Sequence, residues 1–210
     1  MINSKPYIFL DDQITQKTRF YSKPIDIITV YDAESIHSAM QKLIEYHENG
    51  YHLAGYFSYE LGMLLEPKLK ALVSEISEEP LLHFGVFNVF SEHAPIDCIY
   101  TCKNINLHLK AEWTEKEYKK KFDKTMSYIR QGDAYQVNLT FPMKAEYKNS
   151  ARTLYAKFRS SQKGRYGGIV SLGNGPEIIS HSPELFFSKH GKKIEHFYHE
   201  EAYYYNKKFI

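Results

Sequence analysis

The chain has 210 residues and a formal net charge of +2, from 27 basic and 25 acidic side chains. This length allows one large domain or two small ones with a real core, and the balanced charges argue against a nucleic-acid-binding protein. The sequence shows neither a charged-then-apolar N-terminal signal nor an apolar run of about 18 residues, so we expect neither secretion by that route nor a membrane span.

The aromatic and cysteine contents narrow the class of protein further. Eighteen tyrosines and thirteen phenylalanines favour a packed sheet over a disordered chain. Cys98 and Cys102 have no second Cys/His pair at ligand spacing, which indicates neither a zinc site nor a disulfide framework. A reducing, cytoplasmic location is therefore the expectation.

The first half of the chain alternates strand patterns with helix patterns. Asp32 can begin a helix whose Ile36, Met40, Leu43 and Ile44 face a core, and Asn49 and Gly50 supply its end. Gly55, inside a strand pattern, indicates close approach by another element. A second helix is predicted at 61–72. Strands are predicted at 7–10, 25–30, 51–59 and 81–90, and a strand pair or sheet edge at 96–108.

The stretch 114–141 combines a helix start, a helix end and a strand pattern. Thr114 and Glu117 have capping-box spacing, and Gly132 can end the helix in the left-handed conformation. One apolar stripe joins Tyr118, Phe122, Met126 and Ile129, and the lysines between 116 and 124 lie off it as a solvated face. Residues 135–141 then alternate, which predicts a half-buried strand with Gln136 and Asn138 on its polar face.

The last part of the chain predicts one more helix and several hairpin strands. Ser150 can cap a helix that carries Leu154, Tyr155 and Phe158 inward. Strands are predicted at 167–172, 177–181 and 185–188, joined by glycine-rich turns. Hairpin connections dominate, so the fold class is α+β, with mostly antiparallel sheets packed with helices.

A few side chains invite functional readings that pattern alone leaves open. Gln136 and Asn138 could line a substrate cleft or simply satisfy a sheet edge. His181 and Ser182 are adjacent in a strand, so their side chains point to opposite faces, which argues against a nucleophile–base pair. Ser58 and Glu60 could serve packing between lobes.

Three segments together resemble a known family, the chorismate-utilising enzymes. They are residues 54–60 (AGYFSYE), 132–140 (GDAYQVNLT) and 180–186 (SHSPELF). Asn138, Leu139 and Thr140 favour the branch of aminodeoxychorismate (para-aminobenzoate) synthase component I over that of anthranilate synthase component I. The resemblance implies a partial version of a two-lobed sandwich of antiparallel sheets, with chorismate and Mg²⁺ in the cleft and ammonia supplied by a glutamine amidotransferase subunit.

The resemblance also implies roles for two positions. Glu184 of the Ser-Pro-Glu motif matches the general acid/base of the family. The family's nucleophilic lysine falls at Glu200, where an acid cannot replace an amine. The family's magnesium ligands and carboxylate-gripping residues fall beyond Ile210, so we expect no metal site in this chain and leave its substrate-binding residues unknown.

These readings give a division of the chain and three hypotheses. The division is an N-terminal α+β region at 1–110, the first part of a chorismate-binding domain at 111–194, and an atypical tail at 195–210 that could be out of frame. The first hypothesis is a truncated aminodeoxychorismate synthase component I of folate biosynthesis, inactive alone and prone to self-association through exposed sheet edges. The alternatives are a non-catalytic binding protein for the amidotransferase subunit and a fragment of an anthranilate synthase component I-like enzyme.

Overall fold

A computed structural model describes residues 6–73, 79–101, 104–162 and 164–195. In these residues antiparallel strands and helices alternate, which confirms the α+β class. The helices are α1 (Ile36–Glu48), α2 (Tyr59–Leu65), α3 (Ile96–Ile99), α4 (Glu115–Gln131) and α5 (Ala151–Ser161), with a short 3₁₀ turn at Lys70–Leu72. The strands are β1 (Tyr7–Asp12), β2 (Lys17–Ser22), β3 (Asp26–Val30), β4 (His52–Phe57), β5 (Leu82–Phe87), β6 (Lys110–Ala111), β7 (Met143–Lys144), β8 (Tyr166–Ser171), β9 (Ile178–Ser182), β10 (Ser188–His190) and β11 (Lys193–Glu195).

The described residues form two compact units, and the predicted functional division at residue 110 stays a prediction. The first unit contains the described residues up to 101 and from 150 onward, and the second contains 104–149. The first unit holds a four-stranded sheet in the order β2-β1-β8-β9, a three-stranded sheet in the order β3-β5-β4, and the hairpin β10-β11. Every one of these pairings is antiparallel.

The core of the first unit lies around β1, which is paired on both sides. Tyr7, Ile8 and Phe9 are all buried, because one face of the strand packs under α5 and the other faces the three-stranded sheet. Phe87 of β5 joins Ile8 in the cluster that links the two sheets. The predicted strand at 7–10 is therefore confirmed and extends to Asp12.

Cys98 lies in the cluster of buried side chains under α5. It has no exposed surface, and its thiol is free. Burial raises the pKa of this thiol to about 12. Cys102, the other cysteine of the chain, lies outside the described residues.

Local end signals place most helix boundaries correctly. The Thr114–Glu117 capping box begins α4, and Gly132 ends it with φ of 80°. Ser150 caps α5. α1 begins one turn later than predicted, because the Asp32 carboxylate accepts from the Ser35 amide at 2.9 Å and Ser35 takes the N-cap position.

Two apolar positions predicted to face the core are wrong. Ile44 of α1 is 53% exposed, and Ala39 is buried on that helix instead. In α5, Phe158 is 36% exposed while Tyr155 is fully buried. On both helices, the stripe of buried residues is narrower than the spacing of the large apolar residues predicts.

Three strand predictions are wrong, and one strand was not predicted. Residues 135–141 contain no strand, and Tyr135 is 92% exposed. Residues 96–99 form α3 after Pro95, whose fixed φ suits a helix start. The predicted strand at 185–188 contributes only Ser188 to a strand, and β2 at Lys17–Ser22 was not predicted.

The second unit is built around α4 and a two-residue ladder. β6 pairs with β7 through Lys110–Lys144 and Ala111–Met143. Phe141 stacks on Trp113 with ring centroids 5.4 Å apart and contacts the Tyr118 ring edge-on at 5.8 Å. These aromatic contacts, not a third strand, anchor the segment that follows Gly132.

No helix in the described parts of the chain is long and apolar enough to cross a membrane.

Candidate functional site

The Ser-Pro-Glu motif forms a tight turn at the end of β9. The Ser182 hydroxyl accepts from the Glu184 amide at 3.2 Å and donates to the Glu184 carbonyl at 3.1 Å. Pro183, with its fixed φ, limits the turn to few conformations. The motif therefore fixes the backbone of Glu184 through a local bond that depends on the serine hydroxyl.

The side chain of Glu184 points away from the core. It is exposed, and within the described residues its carboxylate makes no hydrogen bond or ion pair. A carboxyl group in this state can exchange protons with a bound molecule without first breaking an internal contact. Its predicted role as general acid/base is compatible with this placement and stays a prediction.

His181 and Ser182 do not form a catalytic pair. The Ser182 hydroxyl bonds to Glu184, whereas His181 Nε2 lies 2.8 Å from the Gln162 carbonyl oxygen. Both residues belong to β9, where adjacent side chains alternate between faces. The sequence-based argument against a nucleophile–base pair agrees with this geometry.

A buried hydrogen-bonding cluster lies across the same sheet from His181. Asp11, only 3% exposed, accepts at Oδ2 from the Tyr155 hydroxyl at 2.9 Å and from Arg159 Nε at 2.7 Å. Burial and the nearby Asp11 carboxylate raise the pKa of Tyr155, so the phenol stays a proton donor. Gly167 lies under the Tyr155 hydroxyl, and a Cβ there would overlap that oxygen.

A cleft of about 860 Å³ opens in the first unit beside β1, β8 and β9. Cationic groups from Lys17, Arg19 and Arg165 line it, together with Asp11 and Asp12. Leu185 and Ser188, which follow the Ser182–Glu184 turn, also contribute to its wall. Apolar side chains such as Leu10 and Val170 also line it, so the cleft suits an organic molecule that carries both polar and apolar groups.

Two buried polar atoms of cleft-lining residues have unused hydrogen-bonding capacity. Asp11 Oδ1 and the Tyr56 hydroxyl have no hydrogen-bond partner in the part of the chain that the structure describes. Burial raises the pKa of Tyr56, which keeps its proton available as a donor. Unsatisfied buried polar atoms are uncommon, so one acceptor and one donor on residues beside the cleft remain to be satisfied by water or by a bound polar group.

The sequence motif around Gly132 does not form the polar sheet face expected of it. Gln136 and Asn138 are exposed in a segment without strand pairing. The alternation of residues 135–141 has no neighbouring strand to pair with among the described residues, and a strand is not stable without one. Neither residue can be assigned to a cleft wall.

Ser58 and Glu60 have local roles at the start of α2. The Ser58 hydroxyl accepts from the Leu61 amide at 3.3 Å as the helix cap, and Glu60 lies in the first turn, where a negative charge suits the helix dipole. These contacts account for both side chains without a role between lobes.

The described residues contain no cluster that would suit a metal ion. Among the described residues, no three His, Cys, Asp or Glu side chains are placed to hold one together. Within this part of the chain, the magnesium ion that the family resemblance implies has no such ligand set. Glu200, at the family lysine position, and the rest of the tail from 196 lie outside the described residues.

The hydrogen-bonded cluster of Asp11, Tyr155 and Arg159 was not predicted from the sequence. The strand predicted at 7–10 ends before Asp11, and Tyr155 is predicted only to face the core. The partners are 144 and 148 residues apart in the chain, and no local spacing signals a pair at that distance. Gly167 followed by Gly168 is the sole hint, because paired glycines in a strand indicate close approach by another group.

Comparison with known proteins finds a family similarity in the later part of the chain. Residues 98–197 match the chorismate binding enzyme family. Aminodeoxychorismate synthase component 1 of Klebsiella aerogenes is 26% identical over 96 residues, which are 46% of this chain and 20% of that protein. Anthranilate synthase component 1 of Streptomyces coelicolor is 27% identical over 84 residues, which are 40% of this chain and 16% of that protein.

The matches thus span a fifth or less of either relative. The family match at 98–197 includes the Ser182–Glu184 turn. Residues 98–197 are therefore similar to the chorismate binding enzyme family, in agreement with the resemblance that the sequence motifs indicate.

Proposed function

We propose that this chain carries the acid/base segment of a chorismate-aminating enzyme of the aminodeoxychorismate synthase type. The observation that carries the proposal is the exposed, uncommitted carboxylate of Glu184 on the Ser182–Glu184 turn, inside the family match. Chorismate is the substrate, and Glu184 is the group that protonates its departing C4 hydroxyl.

The chemistry demands such an acid. Hydroxide is a poor leaving group, so the C4–O bond breaks readily only when a proton arrives at the oxygen and water departs. Ammonia then supplies the nitrogen that bonds to the ring, and we assign its supply to a glutamine amidotransferase partner. A carboxyl group on a fixed turn can deliver the proton in one direction and recover it afterwards.

The aminodeoxychorismate branch is the better of the two family alternatives. The identities to the two relatives are too close to separate them, at 26% and 27%. Asn138, Leu139 and Thr140 favour the para-aminobenzoate branch, in which a lysine attacks the ring before ammonia does. That lysine position is Glu200 here, and a carboxylate cannot form the corresponding covalent amine adduct.

The first test is chorismate binding at the Ser182–Glu184 turn, followed by NMR. We expect saturable shifts of the Ser182, Glu184 and Leu185 amides with chorismate, and no such shifts with benzoate, which lacks the hydroxyl. Glu184→Ala should weaken binding by about tenfold, the value of one hydrogen bond to a charged group. Glu92→Ala, at an exposed acid of the same unit, is the matched control and should leave binding unchanged.

The proposal fails if chorismate at about 10 mM leaves the three amides unshifted, since binding weaker than that has no functional meaning. It also fails if Glu184→Ala binds as tightly as the parent chain. Turnover is a separate measurement. With chorismate, ammonium and Mg²⁺ we expect no aminodeoxychorismate or anthranilate, and product above background would overturn the argument from Glu200.

A further inference from the structure

Two Asn-Gly pairs occur in the sequence, at Asn49–Gly50 and Asn174–Gly175. Asparagine is chemically labile, and most so before glycine, because glycine has no side chain to shield the backbone nitrogen that attacks the Asn side-chain carbonyl carbon. All four residues are exposed. Since sequence and exposure do not separate the two pairs, any difference in their reactivity comes from the hydrogen bonds around each pair.

The pair Asn49–Gly50 is held by two hydrogen bonds at the end of α1. Asn49 Nδ2 donates to the Glu45 carbonyl oxygen at 2.8 Å, and the Gly50 amide donates to the His47 carbonyl oxygen at 3.0 Å. The first bond keeps the side-chain amide against the last turn of the helix. The second engages the nitrogen that would attack it. Loss of the Asn49 amide therefore requires both bonds to break.

The pair Asn174–Gly175 lies in the turn that joins β8 to β9, and it lacks such bonds. Neither the Asn174 side chain nor the Gly175 amide makes a hydrogen bond within the part of the chain that the structure describes. Glycines flank Asn174 on both sides, with φ of 103° at Gly173 and 99° at Gly175. The side-chain carbonyl carbon and the attacking nitrogen are therefore free to approach each other.

We propose that Asn174 is a site of spontaneous deamidation in the folded chain, whereas Asn49 is protected. Hydroxide removes the Gly175 amide proton, the nitrogen bonds to Asn174 Cγ, and the Cγ–Nδ2 bond breaks as ammonia leaves with a proton from solvent. Water then opens the five-membered imide ring. Opening at Cγ gives aspartate, and opening at the main-chain carbonyl carbon gives isoaspartate. The sequence of steps consumes one water, releases one ammonia and needs no other reactant.

The modified turn is packed against the protein, so the change has a structural consequence. A Cβ on Gly175 would lie 3.2 Å from Cγ of Pro80, a fully buried residue. Isoaspartate inserts a methylene group into the main chain of this turn, which then no longer fits against Pro80 in the same way. The neighbouring pair of the hairpin is Val170 with Ile178, and both residues line the cleft. Deamidation therefore loosens one wall of the cleft from outside it.

The test compares the two asparagines in folded and denatured protein incubated side by side at mildly alkaline pH. Peptide mass spectrometry, with chromatographic separation of the aspartate and isoaspartate products, gives both rates. In the folded chain Asn174 should react at least about tenfold faster than Asn49, whose two hydrogen bonds must first break. In denaturant the ratio should fall toward one. Asn174→Gln, whose longer side chain closes a six-membered ring more slowly, is the matched control and should leave the rate at Asn49 unchanged.

A second measurement tests the effect on the hairpin. Asn174→Asp supplies the new charge without the longer main chain, so the isoaspartate form should show faster hydrogen exchange around the Val170–Ile178 pair than Asn174→Asp does. The Phe9 amide in β1 should exchange equally in both. Equal rates at Asn49 and Asn174 in the folded chain, or an Asn174 that reacts only in denaturant, overturn the proposal. Equal exchange in the two forms overturns the loosening of the hairpin. Neither readout involves chorismate, so both are independent of the proposed function.

Discussion

The helices α4 and α5 have similar amphipathic patterns and similar caps, yet they differ in what covers them. In α5, Tyr155 and Ala156 are fully buried against the four-stranded sheet. In α4, all of whose residues are described, none is buried, and Phe122 is 43% exposed. The comparison teaches that helix periodicity specifies where a helix forms, whereas burial depends on a partner surface from elsewhere in the chain.

Two glycines of the first unit differ strongly in the space around their Cα atoms. Substituting them by alanine should produce the largest difference in the free energy of unfolding. Gly55 of β4 lies against the His83 backbone, where a Cβ would overlap the carbonyl oxygen and Phe84. Because backbone cannot move aside cheaply, Gly55→Ala should lower the free energy of unfolding by about 3–5 kcal/mol or prevent folding. Chemical denaturation of the purified variant measures this.

Gly62 of α2 is the matched control, since a Cβ there meets no atom within 4 Å. Gly62→Ala should be neutral or stabilise by up to about 1 kcal/mol, because alanine favours a helix interior. Equal stability of the two variants would contradict the close approach at Gly55.

The next largest effect compares one tyrosine on each helix. Tyr155→Phe removes the hydroxyl that donates to the buried Asp11 carboxylate, and we expect a loss of about 1.5–3 kcal/mol in the free energy of unfolding. Tyr128→Phe on α4, at a position 44% exposed, should change it by less than about 0.5 kcal/mol. Similar losses in the free energy of unfolding for both variants would contradict the conclusion that α5 is buried against a core and α4 is not.

The helix caps give a smaller and more local comparison. Ser150→Ala should destabilise the first unit by about 1 kcal/mol, because α5 is packed into its core. Thr114→Ala removes a capping box of similar strength, but its effect should be confined to faster hydrogen exchange of the first turn of α4. A change in the denaturation midpoint of the first unit with Thr114→Ala would show that α4 contributes to that core after all.

The smallest expected effect on the free energy of unfolding near neutral pH comes from His83, a fully buried core histidine. Burial lowers its pKa below the ordinary value of 6.5, so the unfolded chain binds the proton first. The free energy of unfolding should therefore be unaffected above about pH 6.5 and should fall as the pH drops through that value toward the lowered pKa. Denaturation curves at a series of pH values measure the slope.

His83→Gln should remove this slope while His37→Gln, at an exposed position, should keep it. The baseline stability of His83→Gln is not the readout, since the variant also alters the 2.9 Å contact with Thr29. A slope that persists in His83→Gln would assign it to another group.

Sequence reasoning succeeded where the physical cause is local. Capping at Thr114 and Ser150 and the helix stop at Gly132 depend on residues within one turn of each other, and all were predictable. The strand at 7–10 was predictable because consecutive apolar residues suit a position between two neighbours. The motif at Ser182–Glu184 was likewise readable, since its hydrogen bonds span two residues.

It failed where the cause is long-range. Residues 135–141 have a good strand pattern but no strand beside them, and Phe141 packs on Trp113 instead. The Asp11–Tyr155–Arg159 cluster joins the first strand to a helix more than a hundred positions later. The close approach of Gly164 to the His181 ring depends on the pairing of β8 with β9, which no single segment encodes.

The burial of Cys98 gives this chain a built-in reporter of core opening. Burial raises the pKa of this thiol to about 12 and leaves it no exposed surface, so the folded core keeps Cys98 as a neutral thiol that an alkylating reagent does not reach. Alkylation of Cys98 therefore proceeds only as fast as the layer between α5 and the sheet separates. The masses of the modified peptides distinguish Cys98 from Cys102. The modification rate of Cys98 therefore measures how often this layer opens, a motion that spectroscopic signals averaged over the whole chain would miss.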